Sequence, residues 1–138
     1  MWLIYASASA LFAGITSILA KCGIKKTDST VATAVRTIVV LVFSWILAVL
    51  SGSYPQIGSI SCWTWIFLIL SGFATGGSWL CYYRALQDGP ASAIVPIDKL
   101  SILVTVLFSY LVFGERLSLR SCVGLVAVLA GTLIMLIH

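Results

Sequence analysis

Charged residues are scarce in this sequence, and their scarcity excludes a water-soluble globule. Asp, Glu, Lys and Arg make up 9% of the 138 residues, whereas 61% of the residues are hydrophobic. Too few polar side chains are present to cover the surface of a soluble protein of this size. The composition therefore predicts an integral membrane protein, and the length suits about five spans of about 20 residues each.

The chemical groups that enzymes and metal sites require are also scarce. The one histidine is the terminal His138, and the acidic residues are Asp28, Asp88, Asp98 and Glu115. The four cysteines have no CxxC spacing and stand beside apolar residues, which is typical of small apolar side chains. A nucleophile with its base cannot be assembled from this set, and neither can a group of metal ligands. We therefore expect no enzyme activity, no catalytic residue, no metal site and no cofactor.

Long basic runs are missing as well, since none exceeds Lys25-Lys26. The net charge of +4 therefore does not predict a nucleic-acid partner, and membrane topology explains it better. At the N-terminus, no basic segment precedes the apolar run that continues to Ala20. This pattern predicts a first membrane span rather than a cleaved signal peptide.

Unbroken apolar runs predict an all-α membrane protein with five transmembrane helices in a single domain over residues 1–138. The expected spans are residues 2–21, 30–50, 62–86, 91–113 and 118–137. Asp28, Ser29 and Thr30 are cap candidates for the second helix, and Ser118 is the expected N-cap of the fifth. We interpret Glu115, in the short loop before Ser118, as a cap or a loop clasp.

The distribution of Lys and Arg predicts the orientation of these spans. Six basic residues fall near the loops after the first and third helices, and two fall on the opposite side. The six are Lys21, Lys25, Lys26, Arg36, Arg84 and Lys99, and the two are Arg116 and Arg120. Because cytoplasmic loops carry the excess of positive charge, we expect those two loops in the cytoplasm and the N-terminus outside. The expected location is the cell membrane, in bacteria the inner membrane.

Aromatic residues group near the end of the third predicted helix. Trp79 is followed by Tyr82 and Tyr83 at i+3 and i+4, a spacing that brings the three rings to one helix surface, and Arg84 comes next. These four residues are candidates for binding an organic solute. An equally open interpretation is that the rings are interfacial anchors and that Arg84 extends toward the membrane surface.

An ionisable pair, Asp98-Lys99, lies inside the fourth predicted span, where each charge costs about 2.5 to 3.5 kcal/mol on insertion scales. Pro96 precedes the pair, removes a backbone hydrogen bond and predicts a helix bend. Neighbours on a helix point about 100° apart, so Asp98 and Lys99 are not expected to face the same partner. Asp98 is expected to meet a basic residue of another helix. The role of the pair stays open between a register-fixing ion pair, substrate contact and proton coupling.

The junction of the third and fourth helices carries a recognisable pattern. It reads Tyr83-x-Ala85-Leu86-x-x-Gly89-Pro90-Ala91-Ser92, then Pro96, and later Gly114-Glu115-x-Leu117-Ser118. In order and spacing this pattern resembles the EamA domain of the drug/metabolite transporter superfamily. The motif-level similarity covers about the C-terminal half, and the first two helices resemble the family only in hydropathy.

The resemblance implies a five-helix module that commonly occurs twice in one chain, in opposite orientations, around a central solute pathway. Because this chain carries one copy, we expect a dimer, with an antiparallel homodimer favoured over a parallel one or a heterodimer with a similar chain. The first helix lacks the carboxylate of the small multidrug exporters in this superfamily, so export of hydrophobic cations by their route is less expected.

The expected function is alternating-access transport of a small organic solute, with an anionic or zwitterionic solute compatible with the basic residues. The competing interpretation is a non-transporting membrane subunit that serves assembly or lipid handling with a partner chain. In that case Asp98 and Lys99 would contact protein or lipid headgroups.

Overall fold

The computed structural model describes residues 1–137, which form helices and connecting turns and contain no β-strand. We number the α-helices in chain order. They are α1 (Trp2–Gly23), α2 (Ser29–Leu50), α3 (Cys62–Asp88), α4 (Ala91–Lys99), α5 (Ser101–Phe113) and α6 (Leu119–Leu136). Short 3₁₀ helices, Ile24–Lys26 and Tyr54–Ser59, follow α1 and α2.

Five segments of the described chain are long and apolar enough to cross a bilayer. They are Trp2–Lys26, Ser29–Leu50, Cys62–Asp88, Ala91–Phe113 and Leu119–Leu136. A helix of 22 residues, such as α2, is about 33 Å long and matches a hydrocarbon core of about 30 Å. The predicted all-α membrane architecture with five spans is therefore confirmed.

Apolar side chains cover most of the outside of the helices. Trp2 and Phe73, for example, are 77% and 76% exposed, whereas the buried hydrophobic residues among those described are Ile24, Tyr83 and Leu86. Such a surface is unfavourable in water and favourable in lipid, whose tails are as apolar as the side chains. These three residues are the ones in the described chain whose apolar side chains are packed out of contact with the surroundings.

The chain divides into two compact units, each described here by itself. One unit is Leu19–Gln87, and all three buried hydrophobic residues belong to it. The other unit combines Met1–Ile18 with the residues from Asp88 onward. In this second unit, α4 packs against α5 and α6, and Ser17 and Thr132 are buried.

Hydroxyl groups within the spans donate hydrogen bonds to backbone carbonyls one turn earlier in their own helices. The bond from Thr33 Oγ1 to Ser29 O is 2.8 Å long, and the bond from Thr132 Oγ1 to Val128 O is 2.9 Å. The same i to i−4 bond is made by Ser7, Thr16, Ser17, Thr37, Ser44, Thr75 and Thr105. Hydrocarbon offers no water to these groups, so the local bond removes the cost of placing a hydroxyl in lipid.

The helix ends follow the predicted capping residues. Asp28 Oδ1 accepts hydrogen bonds from the N–H groups of Thr30 at 2.8 Å and Val31 at 3.4 Å. The hydroxyl of Ser118 accepts from Ser121 N–H at 3.2 Å, which confirms Ser118 as the N-cap of the last helix. These side chains supply acceptors for N–H groups that have no partner within the first helical turn.

The end of α5 requires glycine. Gly114 has a φ of +64°, in the left-handed region where a side chain is strained, and its N–H donates to Tyr110 O at 3.1 Å. Ser109 Oγ donates to Glu115 Oε2 at 2.5 Å across the same turn. The expected role of Glu115 as a loop clasp is therefore confirmed.

The fourth span contains a 3₁₀ turn at Leu100, whose backbone angles stay helical, and the sequence did not predict this turn. Its α4 segment runs through Pro96 and ends at Lys99, and α5 begins at Ser101. At Leu100 the backbone tightens, since its N–H donates to Ile97 O at 2.9 Å and its carbonyl accepts from Leu103 N–H at 2.9 Å. These bonds close turns of three residues instead of four. The tightening therefore lies one turn beyond the proline.

The cap at Asp28 predicts a specific pH dependence. Hydrogen bonds from the Thr30 and Val31 N–H groups lower the pKa of the Asp28 carboxyl below its usual value. Because the folded pKa is lower than the unfolded value of about 3.9, the ionised Asp28 carboxylate stabilises the folded protein at pH values above about 3.9. This stabilisation is lost as the pH falls through the folded pKa. Replacing Asp28 by Ala should therefore destabilise the protein more at pH 7 than at pH 2.5, as measured by detergent-induced unfolding.

The matched control is Ser118→Ala, which removes the neutral cap of α6. Its cost should be the same at both pH values, because a serine hydroxyl does not titrate in this range. Equal costs of Asp28→Ala at pH 7 and pH 2.5 would contradict the assignment of a charged cap.

Candidate functional site

Three aromatic rings near the end of α3 form a cluster. The Trp79 ring lies 5.5 Å from the ring of Tyr82 and 5.5 Å from that of Tyr83, with interplanar angles of 79° and 70°. Edge-to-face pairs of this kind contribute about 0.5–1.5 kcal/mol beyond the burial of their surface. Tyr83 is buried, whereas Trp79 and Tyr82 are half-buried. The structure therefore brings together the three rings whose spacing in the sequence predicted a group. Trp79 and Tyr82 remain partly accessible.

Arg36 of α2 completes this cluster. Its guanidinium carbon lies 3.5 Å from the centroid of the Trp79 ring, within cation–π distance. Such a contact contributes from about 0.5 kcal/mol when exposed to about 2 kcal/mol when desolvated. We call Arg36, Trp79, Tyr82 and Tyr83 the aromatic–arginine cluster. All four residues lie in the compact unit Leu19–Gln87.

The end of α3 is tied to the end of α1 by hydrogen bonds to backbone carbonyls. Lys21 Nζ donates to the carbonyl of Leu86, and Gln87 Nε2 donates to the carbonyls of Thr27 at 2.5 Å and Ile24 at 3.5 Å. Leu86 has no exposed surface, and Ile24 is 3% exposed. The Lys21 bond satisfies the carbonyl of Leu86, which the end of α3 leaves without an intrahelical partner, and Gln87 supplies a further donor to the carbonyls of Thr27 and Ile24. These bonds also fix the helix turn from which Tyr83 projects.

Arg84 lies on the outside of α3 rather than in the cluster. Its side chain is exposed, and its positive charge contributes the weakest of the effects that lower the pKa of Asp28. The Arg84 charge therefore acts weakly on the cap of α2. Among the sequence candidates on α3, Arg84 is the exposed one.

Asp98 and Lys99 meet each other. Lys99 Nζ lies 3.5 Å from Asp98 Oδ2, and the two side chains are 58% and 39% exposed, Lys99 the more. The ion pair that the structure shows for Asp98 is with its own neighbour Lys99, whereas the sequence predicted a basic residue of another helix. Pro96 is half-buried on the same helix. These three residues belong to the second compact unit.

The cluster can bind an organic molecule but offers little to a metal ion. A planar cation and accessible aromatic rings suit apolar bodies and anionic groups. Among residues 1–137, no group of three or more His, Cys, Asp or Glu side chains is arranged to hold a metal. The four cysteines of this part of the chain are exposed, free thiols.

Sequence reasoning missed Arg36 as a member of the site and counted it only for topology. Arg36 and Trp79 lie 43 positions apart, and no local pattern links them. The one signal that the sequence offers is a lone arginine at the eighth position of a helix that has no other charged residue. A charge at that depth requires a partner or a hydrated neighbourhood.

Comparison with known proteins defines the class. The chain matches the model of the EamA-like transporter family over residues 1–137. It is 40% identical over 134 residues to the protein named "Uncharacterized transporter in cobO 3'region" from Sinorhizobium sp, covering 97% of this chain and 95% of that protein. A 56-residue stretch is 36% identical to the mouse protein named "Magnesium transporter NIPA4", covering 41% of this chain and 14% of that protein. No solved structure matches the chain.

The chain therefore belongs to the EamA-like transporter family, and it is a multi-pass membrane protein of that family. The match includes the first two helices, for which the sequence motifs had shown only a hydropathy resemblance. Family membership and the names of these relatives support a membrane transporter and point away from an enzyme.

Proposed function

We propose that this protein transports a small organic solute across the cell membrane, in bacteria the inner membrane, by alternating access and as a dimer. The observation that carries the proposal is the aromatic–arginine cluster, which places accessible rings and a fixed positive charge within two spans. Polar and charged groups inside spans are expensive, and in membrane proteins they mark solute pathways. Family membership supplies the transport activity to which this site is assigned.

The chemistry of the cluster favours an organic solute over a metal cation. The mouse relative is named a magnesium transporter, but its similarity covers only 14% of that protein. Magnesium prefers oxygen ligands, usually carboxylates and water, in octahedral geometry. The guanidinium on Trp79 would repel such a cation. The rings instead suit the apolar body of an organic molecule.

The 3₁₀ turn in the fourth span supports movement between access states. A proline and a local 3₁₀ turn weaken the regular hydrogen bonding of a helix, and helix irregularities near the substrate sites of transporters allow segments to rearrange. The turn at Leu100 lies beside Asp98 and Lys99. We assign these two residues and Pro96 to this rearrangement, with Asp98 also a candidate for substrate contact or proton coupling.

A shallow, open groove along one face of α3 supports the dimer. It is lined by Ile69, Gly72, Phe73, Gly76, Gly77 and Leu80. A Cβ atom added at Gly72 or Gly76 would meet no described atom within 4 Å. Glycines spaced in this way allow two helices to approach closely in lipid. We assign the groove to contact with a second copy of the chain.

The orientation of the two copies follows from the module and from its charges. One copy of a module that elsewhere occurs as an inverted pair favours an antiparallel homodimer. The excess of Lys and Arg favours copies with the N-terminus outside and the loops after the first and third spans in the cytoplasm. An antiparallel pair therefore needs a second copy, or a similar chain, that inserts the other way.

The alternative function is a membrane subunit that does not transport and serves assembly or lipid handling. The exposure of the Asp98–Lys99 pair favours this alternative, because both groups are open to a partner chain or a lipid headgroup. The two functions differ in whether the purified protein moves a solute across a sealed membrane.

Flux measurements separate them. We expect the purified protein in sealed vesicles to carry radiolabelled hippurate or benzyltrimethylammonium, two membrane-impermeant aromatic ions, faster than protein-free vesicles do. Asp98→Asn should slow this flux about tenfold, the equivalent of one lost charge-assisted interaction. The matched control is Asp28→Asn, which keeps a capping oxygen outside the spans and should leave the flux unchanged.

Flux of both probes at the protein-free level, with helical content and oligomeric state intact, would contradict the transport proposal. Equal flux in Asp98→Asn and in the unchanged protein would remove Asp98 from the proposed mechanism.

Substitution in the α3 groove tests the dimer. Gly76→Leu should shift the protein from dimer to monomer in detergent, as measured by light scattering, because a bulky side chain prevents close helix approach. Its own fold should persist, since the added side chain enters open space. Ala74→Leu is the control, because position 74 lies on another face of α3 and should leave the dimer intact.

Labelling of both chain ends from each side of the membrane then tests the orientation. Labelling of each end from both sides is expected for antiparallel copies. A dimer that survives Gly76→Leu would contradict the α3 contact, and uniform labelling would exclude the antiparallel homodimer.

A further inference from the structure

Arg36 lies in the unit Leu19–Gln87 without an acidic partner for its charge. The sequence of this unit contains one acidic residue, Asp28. The Asp28 carboxylate already accepts the N–H groups of Thr30 and Val31 as the cap of α2. Among the described residues, the contact that the structure gives the Arg36 guanidinium is the Trp79 ring. An aromatic face attracts a cation but does not neutralise its charge.

The stacked geometry leaves the hydrogen-bonding edge of Arg36 available. A guanidinium is planar, and its five N–H groups point outward within that plane. The guanidinium carbon lies 3.5 Å from the Trp79 ring centroid, the separation expected when the face of the group lies on the ring. The N–H groups at the edge can therefore donate two parallel bonds to a carboxylate without disturbing the contact with the ring.

Arg36 and Trp79 lie at similar distances from the nearer ends of their helices. Arg36 lies seven residues after the start of α2 at Ser29, which corresponds to about 10 Å along the helix axis. Trp79 lies nine residues before the end of α3 at Asp88, which corresponds to about 13 Å. The contact with the Trp79 ring holds the guanidinium at this distance from both helix ends.

We propose that Arg36 is the anion-recognition residue of this protein and that its solute is an organic molecule with a carboxylate group. The edge of the guanidinium binds the carboxylate, Trp79 fixes the plane of the guanidinium, and the half-buried ring of Tyr82 contacts the apolar part of the solute. This inference rests on the transport function proposed above and adds the chemical class of the solute. It also assigns to Arg36 a role that local sequence patterns do not indicate.

Equilibrium binding of radiolabelled hippurate, an aromatic carboxylate, to the purified protein in phosphatidylcholine nanodiscs tests the proposal. We expect hippurate to bind, and Arg36→Gln to weaken binding about tenfold or more, because a charge-assisted pair is lost. Arg36→Lys should also weaken binding, since an ammonium keeps the charge but lacks the planar fork. Arg120→Gln, which removes an exposed arginine at the start of α6, is the matched control and should bind as the unchanged protein does.

Two further probes separate charge recognition from general aromatic binding. Benzyltrimethylammonium and benzyl alcohol carry a similar ring with a positive charge or none, and both should bind more weakly than hippurate. Arg36→Gln should not weaken the binding of either. Should Arg36→Gln fail to fold, Arg36→Lys and Trp79→Leu test the same site, because each leaves a charge but removes the stack.

The proposal would be overturned by no hippurate binding by the unchanged protein, by equal affinity in Arg36→Gln, or by preference for the cationic probe. If Arg36 instead binds lipid phosphate, nanodiscs of phosphatidylglycerol should abolish hippurate binding, and Arg36→Gln should release bound phosphatidylglycerol. That result would also overturn it.

Binding and flux can fail independently. Arginine-dependent hippurate binding without flux would support the anion site and contradict transport. Flux of benzyltrimethylammonium without hippurate binding would support transport and contradict the anion site.

Discussion

Hydrocarbon supplies no hydrogen bonds, so every polar group inside a span must find its partner within the protein or in a hydrated cavity. This constraint explains the bonds at the end of α3, where Lys21 and Gln87 donate to carbonyls of Leu86, Thr27 and Ile24. It also explains why hydroxyls throughout the spans bond to their own helices. The buried residues Ile24, Tyr83 and Leu86 accompany these bonds. Polar satisfaction and apolar packing therefore coincide at one end of the unit Leu19–Gln87.

The position of the aromatic–arginine cluster follows from these hydrogen bonds at the end of α3. Trp79, Tyr83 and Leu86 are spaced as i, i+4 and i+7 and so lie along one stripe of α3. Leu86 is fixed by the bond to its carbonyl and by its complete burial. Because the three residues share one stripe, the position of Leu86 also sets the direction in which Tyr83 and Trp79 project. Trp79 then meets Arg36 of α2. A charge that would be costly in lipid is placed against an aromatic face, which stabilises it in part and orients its donors.

Local chemistry made much of the architecture predictable. Hydropathy and length predict the five spans, the side chains of Asp28 and Ser118 predict the starts of two helices, and the spacing of Trp79, Tyr82 and Tyr83 predicts their grouping. Each of these features depends on residues within one or two helical turns. Such information is present in any short window of the sequence.

Features that depend on distant residues were not predictable in the same way. The stack of Arg36 on Trp79 and the bond from Lys21 to the Leu86 carbonyl join residues far apart in the sequence. A backbone carbonyl carries no sequence signature as an acceptor. The 3₁₀ turn at Leu100 was missed for a different reason, since Pro96 predicts a disturbance of the helix but not the residue at which the turn forms.

Quenching of Trp79 fluorescence tests most directly whether the cluster lines a hydrated path or faces lipid. The measurement needs a variant in which Trp79 is the one remaining tryptophan, reconstituted with brominated lipids or titrated with aqueous acrylamide. We expect acrylamide to quench Trp79 efficiently and brominated acyl chains to quench it weakly. Strong quenching by brominated acyl chains with protection from acrylamide would identify the rings as lipid-facing anchors and contradict a solute site at Arg36 and Trp79.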